Sequence, residues 1–321
     1  MMYSKLKQIA AIAAVTLLTS TVALAEDSAK MMIPAGAGGG YDTTGRLAMK
    51  VLDSAGIFKG GTVFTNKPGA GGTLGMGEFV RNNAGDPSAL MTMGVILVGS
   101  QIVTKGSQPF TEVTPIARLT FEYSGVAVPT NSPIKTVKDL QDALKANIGA
   151  VPFGGGSAGG VDHIVAGLIA KGSGVEPARL NYIPFASGAE AMTQLAGGKL
   201  AVMIQGASEM KQMNDAGRVR LIAVTSGERI PGINVPTLKE SGIDVVLGNW
   251  RGIVGSKDMP AEAAKTWVER FEKMSKAPEW SAELQKQGLQ NAFLGGAEFG
   301  KFLASENARI KPILTEMGLV K

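Results

Sequence analysis

Short apolar runs alternate with amphipathic segments along the first part of the chain, beginning near Lys30. The predicted elements are strands over residues 31–36, 61–69, 89–99 and 117–129, and a helix over residues 43–56. One face of that helix carries the apolar residues Leu47, Ala48, Val51 and Leu52. Strands that alternate with helices in this way predict parallel βαβ units.

A second series of the same kind follows. The predicted helices are residues 136–146, 161–171 and 189–198, and the predicted strands are 148–155, 181–188, 200–206 and 220–227. Two amphipathic helices, 261–276 and 296–318, end the chain. We predict an α/β fold of two doubly wound lobes with a ligand cleft between them. Residues 26–127 and 250–321 would form the first lobe, and residues 128–249 the second.

The N-terminus has the pattern of an export signal. Lys5 and Lys7 precede the apolar residues 9–18, and residues 23–25 read Ala-Leu-Ala, an A-x-A cleavage site. We therefore predict a cleavable signal peptide over residues 1–25. A membrane anchor is the alternative, but the apolar run is short and charged residues follow it at once. With no cysteine to form disulfides or carry a lipid, a free periplasmic protein is expected.

Composition disfavours several classes of function. The formal net charge is +5, but the basic residues are scattered and aromatic residues make up only 6%, which argues against a nucleic-acid surface. With no cysteine and one histidine, His163, a metal site would need carboxylates, and no loop has the acidic spacing of a calcium site. Asp42 and Arg46, four residues apart, predict a helix-capping ion pair.

Three glycine clusters carry the strongest signal. They are GAGGGYDTTGR at residues 36–46, NKPGAGGTLG at 66–75 and PFGGGSAGGVDH at 152–163. Each follows a predicted strand and precedes a helix, where a doubly wound sheet opens its ligand crevice. Free N–H groups and the helix dipole favour an anion there, and glycine allows close approach. Any one loop could be only a tight turn, whereas three together favour anion binding.

The third cluster matches two catalytic or cofactor patterns. Gly154, Gly156 and Gly159 satisfy G-x-G-x-x-G, but the next predicted strand ends without an acidic residue for a ribose, and no cluster has a P-loop ending. Residues 155–159 also read G-x-S-x-G, so a secreted serine hydrolase with Ser157 as nucleophile is the alternative. We predict no cofactor.

The hydrolase alternative lacks a suitable base. The one histidine, His163, falls six residues after Ser157, and helical periodicity predicts that it faces away from the buried stripe that includes Ile164 and Ile169. Ser157 is instead predicted to be the N-cap of that helix. Trp250 either lines the cleft or packs where the chain returns to the first lobe.

Taken in order, these loops resemble the Bug-type, tripartite tricarboxylate transporter substrate-binding family. Further matching segments are IPFASGAEAMTQLAGG, LIAVTSGERIPGINVPTLKESG and NWRGIVGSKDMP, so the resemblance covers nearly all of the mature chain. It implies a type II periplasmic binding protein fold and a monomeric receptor without catalytic residues, metal or cofactor. Such a receptor closes on a small carboxylate, such as a citrate-like tricarboxylate or a dicarboxylate, and presents it to a permease of one large and one small subunit.

The resemblance also implies the ligand-binding residues. In the first lobe they are Gly39, Gly40, Tyr41, Asp42, Thr43 and Thr44, with Gly71, Gly72 and Thr73 closing one side; in the second lobe they are Ser157, Ala158, Gly159 and Gly160, with Ser187 and Gly188. Many relatives have Tyr-Lys-Gly in the last of these loops, where this chain reads Phe-Ala-Ser-Gly. The identity of the carboxylate, the choice between a permease and a sensor kinase as partner, and the roles of His163, Glu190, Trp250 and Arg251 stay open.

Overall fold

The computed structural model of the chain describes residues 28–185 and 188–320. The predicted signal peptide and Ser187 lie outside these ranges. None of the helices in the described ranges is long and apolar enough to cross a membrane.

Ten strands and ten α-helices make up the described chain. The strands are β1 Ala29–Ile33, β2 Thr62–Asn66, β3 Ala89–Gly94, β4 Thr114–Val128, β5 Phe153–Gly155, β6 Tyr182–Pro184, β7 Val202–Gly206, β8 Arg220–Val224, β9 Gly248–Gly255 and β10 Gln290–Gly295. The helices are α1 Gly40–Ser54, α2 Thr73–Asn82, α3 Val95–Val103, α4 Val137–Asn147, α5 Val161–Gly172, α6 Gly188–Ala196, α7 Ala207–Asp215, α8 Ala261–Ser275, α9 Pro278–Gln287 and α10 Gly296–Glu316.

The strands form a mixed sheet with the order β2-β1-β3-β9-β4-β7-β5-β6, and β8 and β10 also pair with β4. The β1–β2, β1–β3, β5–β6 and β5–β7 pairs are parallel, as the alternation of strands and helices predicts. All pairs of β4 are antiparallel, and so is β3–β9. The prediction of parallel units therefore holds for the pairs made by β1 and β5 but not for β4 and β8, which belong to the same two series and pair antiparallel.

Strand β4 is shared by both halves of the sheet. Its residues 114–123 pair with β9, and from Ser124 onward it pairs with β7 and β8. Thr225 fixes this transition, because its Oγ1 accepts a hydrogen bond from the Ser124 N–H at 2.9 Å and donates one to the Leu247 carbonyl at 2.6 Å. The lobe boundaries at residues 127/128 and 249/250 stay a prediction.

Apolar helix faces pack against the sheet as the pattern predicts. Leu47, Ala48, Val51 and Leu52 of α1 are all buried. Trp250 on β9 is fully buried, and its ring packs against Phe299 and Phe302 of α10. Its indole N–H donates to Glu306 at 2.9 Å. Trp250 therefore packs against α10 and is not among the residues that line the cleft.

Several predicted elements were wrong. The run 89–99 is a strand only to Gly94, and α3 begins at Val95, because an all-apolar buried segment has no period that separates helix from strand. The predicted strand 148–155 begins with a 3-10 turn, Ile148–Ala150, so β5 is only three residues long. Helices α7 and α9 and strands β9 and β10 were missed, and α2 was predicted only as the helix after the second glycine loop, without bounds.

Candidate ligand-binding cleft

The three glycine loops open onto one cleft of about 780 Å³. The loops precede α1, α2 and α5, each of which follows a strand, as predicted. The N-cap residues of these helices are Gly39, Gly72 and Gly160, and none of the three has a side-chain capping hydrogen bond. The first N–H groups of a helix have no intrahelical partner, so a glycine N-cap leaves them open to another acceptor.

Asp42 holds the first loop in place. Its carboxylate accepts hydrogen bonds from the Gly38 N–H at 2.9 Å, from Arg46 Nε at 2.8 Å and from Asn66 Nδ2 at 3.0 Å. Burial alone would raise the pKa of Asp42, but these hydrogen bonds outweigh it and hold the pKa below its usual value. The predicted Asp42–Arg46 ion pair is confirmed. Because its carboxylate is used within the first lobe, Asp42 stabilises the loop and is not among the residues that line the cleft.

The second loop needs glycine for conformational and steric reasons. Gly71 and Gly72 both have positive φ, +63° and +100°. A Cβ at Gly71 would overlap the side chain of Ser100 on α3. Thr73 lies beside them but outside the cleft lining, and its hydroxyl donates to the Ala70 carbonyl at 3.0 Å. Here the structure accounts for the glycines without a ligand, although Gly71 and Gly72 still line the cleft.

The third loop differs from its prediction in two respects. The N-cap of α5 is Gly160, not Ser157, whose carbonyl accepts the Gly160 N–H at 2.9 Å. His163 is buried rather than on a polar face, because the Tyr182 ring from β6 stacks on it at 4.0 Å between centroids. Its Nδ1 accepts the Gly159 N–H at 3.1 Å, and burial lowers the pKa of His163 to about 4. His163 therefore stabilises the loop as a neutral acceptor.

The floor of the cleft comes from β4 and β9 and was not predicted. In the antiparallel register Thr120 is paired with Arg251 and Glu122 with Asn249, which places these four side chains on one face of the sheet. All four line the cleft. The intervening Phe121 and Trp250 project to the other face. The alternation of polar and apolar residues in TFEY and NWRG was the available signal, but it identifies a polar floor only once the pairing is known.

Arg251 supplies the positive charge that lines the cleft. Its guanidinium lies against the start of α1, since a Cβ on Gly40 would come within 2.7 to 2.8 Å of three guanidinium atoms. On its other side, an Arg251 amino group lies 3.9 Å from the Glu122 carboxylate. A guanidinium beside the positive end of a helix makes this part of the cleft favourable for an anion.

Three carboxyl groups also line the cleft. They are Glu122 on β4, Asp162 on α5 and Glu209 on α7. Desolvation is the largest influence on the first two and raises the pKa of Glu122 to about 7 and that of Asp162 to about 6. Attraction to Arg251 opposes the rise in both, and repulsion from Glu209 adds to it. Asp162 also accepts the Gly156 N–H at 2.8 Å, so the third glycine loop already binds a carboxylate of the chain itself.

Most predicted site residues meet in this cleft. Those that line it are Gly39, Gly40, Tyr41, Thr43, Thr44, Gly71, Gly72, Ser157 and Gly188. Those outside its lining are Asp42, Thr73, Ala158, Gly159 and Gly160. Ser187 lies outside the described residues. The hydroxyl of Tyr41 accepts the Leu97 N–H at 3.0 Å, and burial raises its pKa, so Tyr41 is a neutral wall of the cleft.

The carboxyl groups are not arranged as a metal centre. Within residues 28–185 and 188–320, no group of three or more His, Cys, Asp or Glu side chains is placed to hold a metal ion. The chemistry of the cleft therefore consists of helix N-termini, one guanidinium, three carboxyl groups and neutral hydrogen-bonding groups.

Known proteins resemble this chain in sequence and in fold. The family model described as tripartite tricarboxylate transporter family receptor, TctC, matches residues 51–319. A Cupriavidus necator protein described as UPF0065 is 28% identical over 298 residues, covering 91% of this chain and 88% of its own. A crystal structure of a TctC solute binding protein from Polaromonas is 27% identical, with a TM-score of 0.73, and the match covers 91% of this chain and 99% of that one.

Two more distant neighbours were solved with ligands. An R. palustris protein with adipate is 20% identical, with a TM-score of 0.78 over 91% of this chain and 98% of its own. MatC from Rhodopseudomonas palustris with bound malate is 18% identical, with a TM-score of 0.75 over 90% and 99% of the two chains. At these identities the likeness shows only the two-lobed periplasmic binding protein fold. The family model matches most of the chain, and the chain belongs to the TctC family of tripartite tricarboxylate transporter receptors.

Proposed function

We propose that this protein is a non-catalytic periplasmic receptor that binds a small di- or tricarboxylate between its lobes and delivers it to a two-subunit membrane permease. The observation that carries the proposal is the junction of α1 and Arg251. An uncapped helix N-terminus and a guanidinium meet there on the wall of a cleft between the two halves of the sheet. Family membership and the adipate and malate bound by neighbours of the same fold support it.

The carboxylate would bind at the start of α1. The Thr43 N–H makes the first helical hydrogen bond, to the Gly39 carbonyl at 2.9 Å, so the N–H groups of Gly40 and Tyr41 precede the intrahelical ladder. A carboxylate accepting them would lie beside Arg251, which can bind it with two parallel hydrogen bonds. Such charge-assisted bonds contribute about 1.5–3 kcal/mol each. A few of them account for micromolar affinity, about −8 kcal/mol.

Binding at this place would couple to lobe closure. β4 and β9 run between the halves of the sheet and carry Arg251 and Glu122 on their shared face. The third glycine loop approaches the first lobe, where a Cβ on Gly99 of α3 would overlap the Gly159 carbonyl oxygen. A ligand that touches both sides binds the closed arrangement more tightly than the open one and shifts the population toward it.

Calorimetry on an Arg251→Gln variant tests the carboxylate site. A thermal-shift screen of di- and tricarboxylates first identifies a ligand; at about 100 times its Kd, a ligand stabilises the protein by about 2.7 kcal/mol. We expect Arg251→Gln to weaken that ligand by about 1.5–3 kcal/mol, or roughly 10- to 150-fold. Arg229→Gln is the control, because Arg229 is exposed and pairs with Glu240 away from the cleft. Equal affinity of Arg251→Gln and the wild type would refute the proposed carboxylate site.

Because Arg251 also lies beside Glu122, the double variant Arg251→Gln/Glu122→Gln is informative. If the loss in Arg251→Gln came only from an uncompensated Glu122 charge, the double variant would regain wild-type affinity. We expect it to stay weak, since the guanidinium itself binds the ligand.

Export and delivery need tests in cells. Removal of residues 1–25 should leave the protein in the cytoplasm, and fractionation would detect it there. Deletion of the gene should abolish high-affinity uptake of the ligand identified by thermal shift. Uptake that continues unchanged would contradict a role in transport while leaving the binding result intact.

A further inference from the structure

The charges of the cleft are not those expected for a simple dianion. Of the acidic and basic side chains that line it, three are carboxyl groups, Glu122, Asp162 and Glu209, and one is a guanidinium, Arg251. They come from four different elements, β4, α5, α7 and β9, so no single surface helix accounts for them. A ligand with only carboxylates would be repelled by these three groups when they are ionised.

The positive charge lies toward one side of the cleft, with the Glu122 carboxylate 3.9 Å from Arg251. Arg251 lies against the first residue of α1, on the first-lobe side. Asp162 and Glu209 belong to α5 and α7, on the second-lobe side, and Glu122 stands between them on the shared strand β4. The loop before α5 is held by Asp162, which accepts the Gly156 N–H at 2.8 Å. The second-lobe side of the cleft therefore presents hydrogen-bond acceptors and negative charge to a ligand.

Buried hydroxyls provide an independent sign of a polar ligand. Thr44 and Thr120 line the cleft, are 2% and 1% exposed, and their Oγ1 atoms have no hydrogen-bond partner in the described chain. Asn249 Oδ1, opposite Glu122 on the cleft floor, is likewise buried without a partner there. Buried polar atoms are nearly always hydrogen-bonded, so three of them around one cleft indicate that a ligand with both donors and acceptors completes the site.

We infer that the ligand is an amino-carboxylate: its carboxylate binds at the start of α1 beside Arg251, and its ammonium group binds among Glu122, Asp162 and Glu209. The inference rests on the proposed carboxylate-binding function and adds the second charged group of the ligand. An ammonium ion carries three donors and no acceptor, which matches carboxylates and the Asn249 Oδ1. A bare metal ion matches the site less well, because within the described residues no three His, Cys, Asp or Glu side chains are placed to hold one.

The raised pKa values agree with this charge distribution. Burial without a full complement of partners raises the pKa of Glu122 to about 7 and that of Asp162 to about 6. A cation placed between them would favour their ionised forms and lower both pKa values. Ligand binding is therefore accompanied by proton release from these carboxyl groups near neutral pH.

Matched ligand pairs test the inference. Each pair differs by one ammonium group: aspartate and succinate, glutamate and glutarate, 2-aminoadipate and adipate, 4-aminobutyrate and butyrate. Calorimetry with EDTA present should give at least tenfold tighter binding of the amino member in at least one pair. Calorimetric titration of the amino member in two buffers with different ionisation enthalpies should show that binding releases protons.

Three isosteric variants locate the ammonium group. Glu122→Gln, Asp162→Asn and Glu209→Gln should each weaken the amino member at least fivefold and leave the deamino member unchanged or tighter. Asp215→Asn is the matched control, because Asp215 is exposed on α7 with Glu209 and pairs with Lys211 away from the cleft. Circular dichroism identifies any variant that fails to fold, and the other two then carry the test.

The outcomes separate the inference from the proposed function. If succinate, glutarate or adipate binds as tightly as its amino partner, the ammonium site is refuted and the carboxylate receptor stands. If affinity disappears with EDTA, a metal chelate is the ligand and the ammonium site is again refuted. If no carboxylate of either kind binds, the proposed function fails and the inference fails with it.

Discussion

Replacement of Glu122 by glutamine should make the protein more stable at alkaline pH and remove part of its pH dependence. Glu122 lies on β4 in the cleft floor with its side chain 13% exposed, and Arg251, Asp162 and Glu209 are the charged groups that face it. Desolvation raises the pKa of Glu122 from 4.5 to about 7. A raised carboxyl pKa means that the folded state holds the proton more tightly than the unfolded state does.

The sign and size of the effect follow from linkage. The stability that Glu122 contributes is fully present below about pH 4.5 and is lost as the pH rises through about 7. At about 1.36 kcal/mol for each pKa unit, the change from 4.5 to about 7 corresponds to about 3 kcal/mol. Glutamine stays neutral and keeps the shape. Glu122→Gln should therefore match the wild type at about pH 4.5 and exceed its free energy of unfolding by up to about 3 kcal/mol at about pH 8.

Urea unfolding at several values between about pH 4.5 and pH 8 measures this difference. The control is Glu269→Gln on the exposed face of α8, which should follow the wild type at every pH. A constant difference between Glu122→Gln and the wild type across the range would refute the reasoning. Destabilisation at pH 8 would do so more strongly, because it would show that the ion pair with Arg251 outweighs the cost of burial.

Three further changes probe other parts of the structure. Gly99→Ala should weaken ligand binding at least tenfold by calorimetry, because its Cβ would overlap the Gly159 carbonyl oxygen, although alanine raises the helix propensity of α3 by up to about 1 kcal/mol. Gly77→Ala in α2 is the control, and unchanged affinity of Gly99→Ala would contradict the close approach. Thr225→Val removes both hydrogen bonds that fix β4 and should lower the free energy of unfolding by about 2–4 kcal/mol in urea, whereas an unchanged midpoint would show that the crossover tolerates their loss. Any turnover of a chromogenic ester should be unaffected by Ser157→Ala; loss of turnover in that variant would support the hydrolase alternative.

The sequence predicted the parts of the fold that depend on local patterns. The stripe of α1 around Leu47 and Val51 is confirmed because a helix that packs on one side shows a 3.6-residue period. The glycine loops were placed correctly between strands and helices because such turns need residues with no side chain. The segment from Val95 failed for the opposite reason: the first four residues of α3, 95–98, are all apolar, so the sequence there has no polar face to reveal the period.

The site was only partly predictable because its floor depends on long-range pairing. Glu122 and Asn249 lie far apart in the chain and share a face only through the register of β4 and β9. Asp42 was correctly predicted to pair with Arg46, but the same contact uses the carboxylate within the loop and keeps it out of the cleft. His163 was placed on a polar face because its helix alone was considered, and Tyr182 from a separate strand buries it.

The central claim is that a carboxylate binds between α1 and Arg251. A crystal structure of the protein with the ligand found by thermal shift tests this claim most directly. We expect the carboxylate oxygens to lie about 2.7–3.2 Å from the backbone nitrogens of Gly40 and Tyr41 and from the Arg251 guanidinium. A ligand bound with its carboxylate at the second lobe, away from Arg251, would contradict the account.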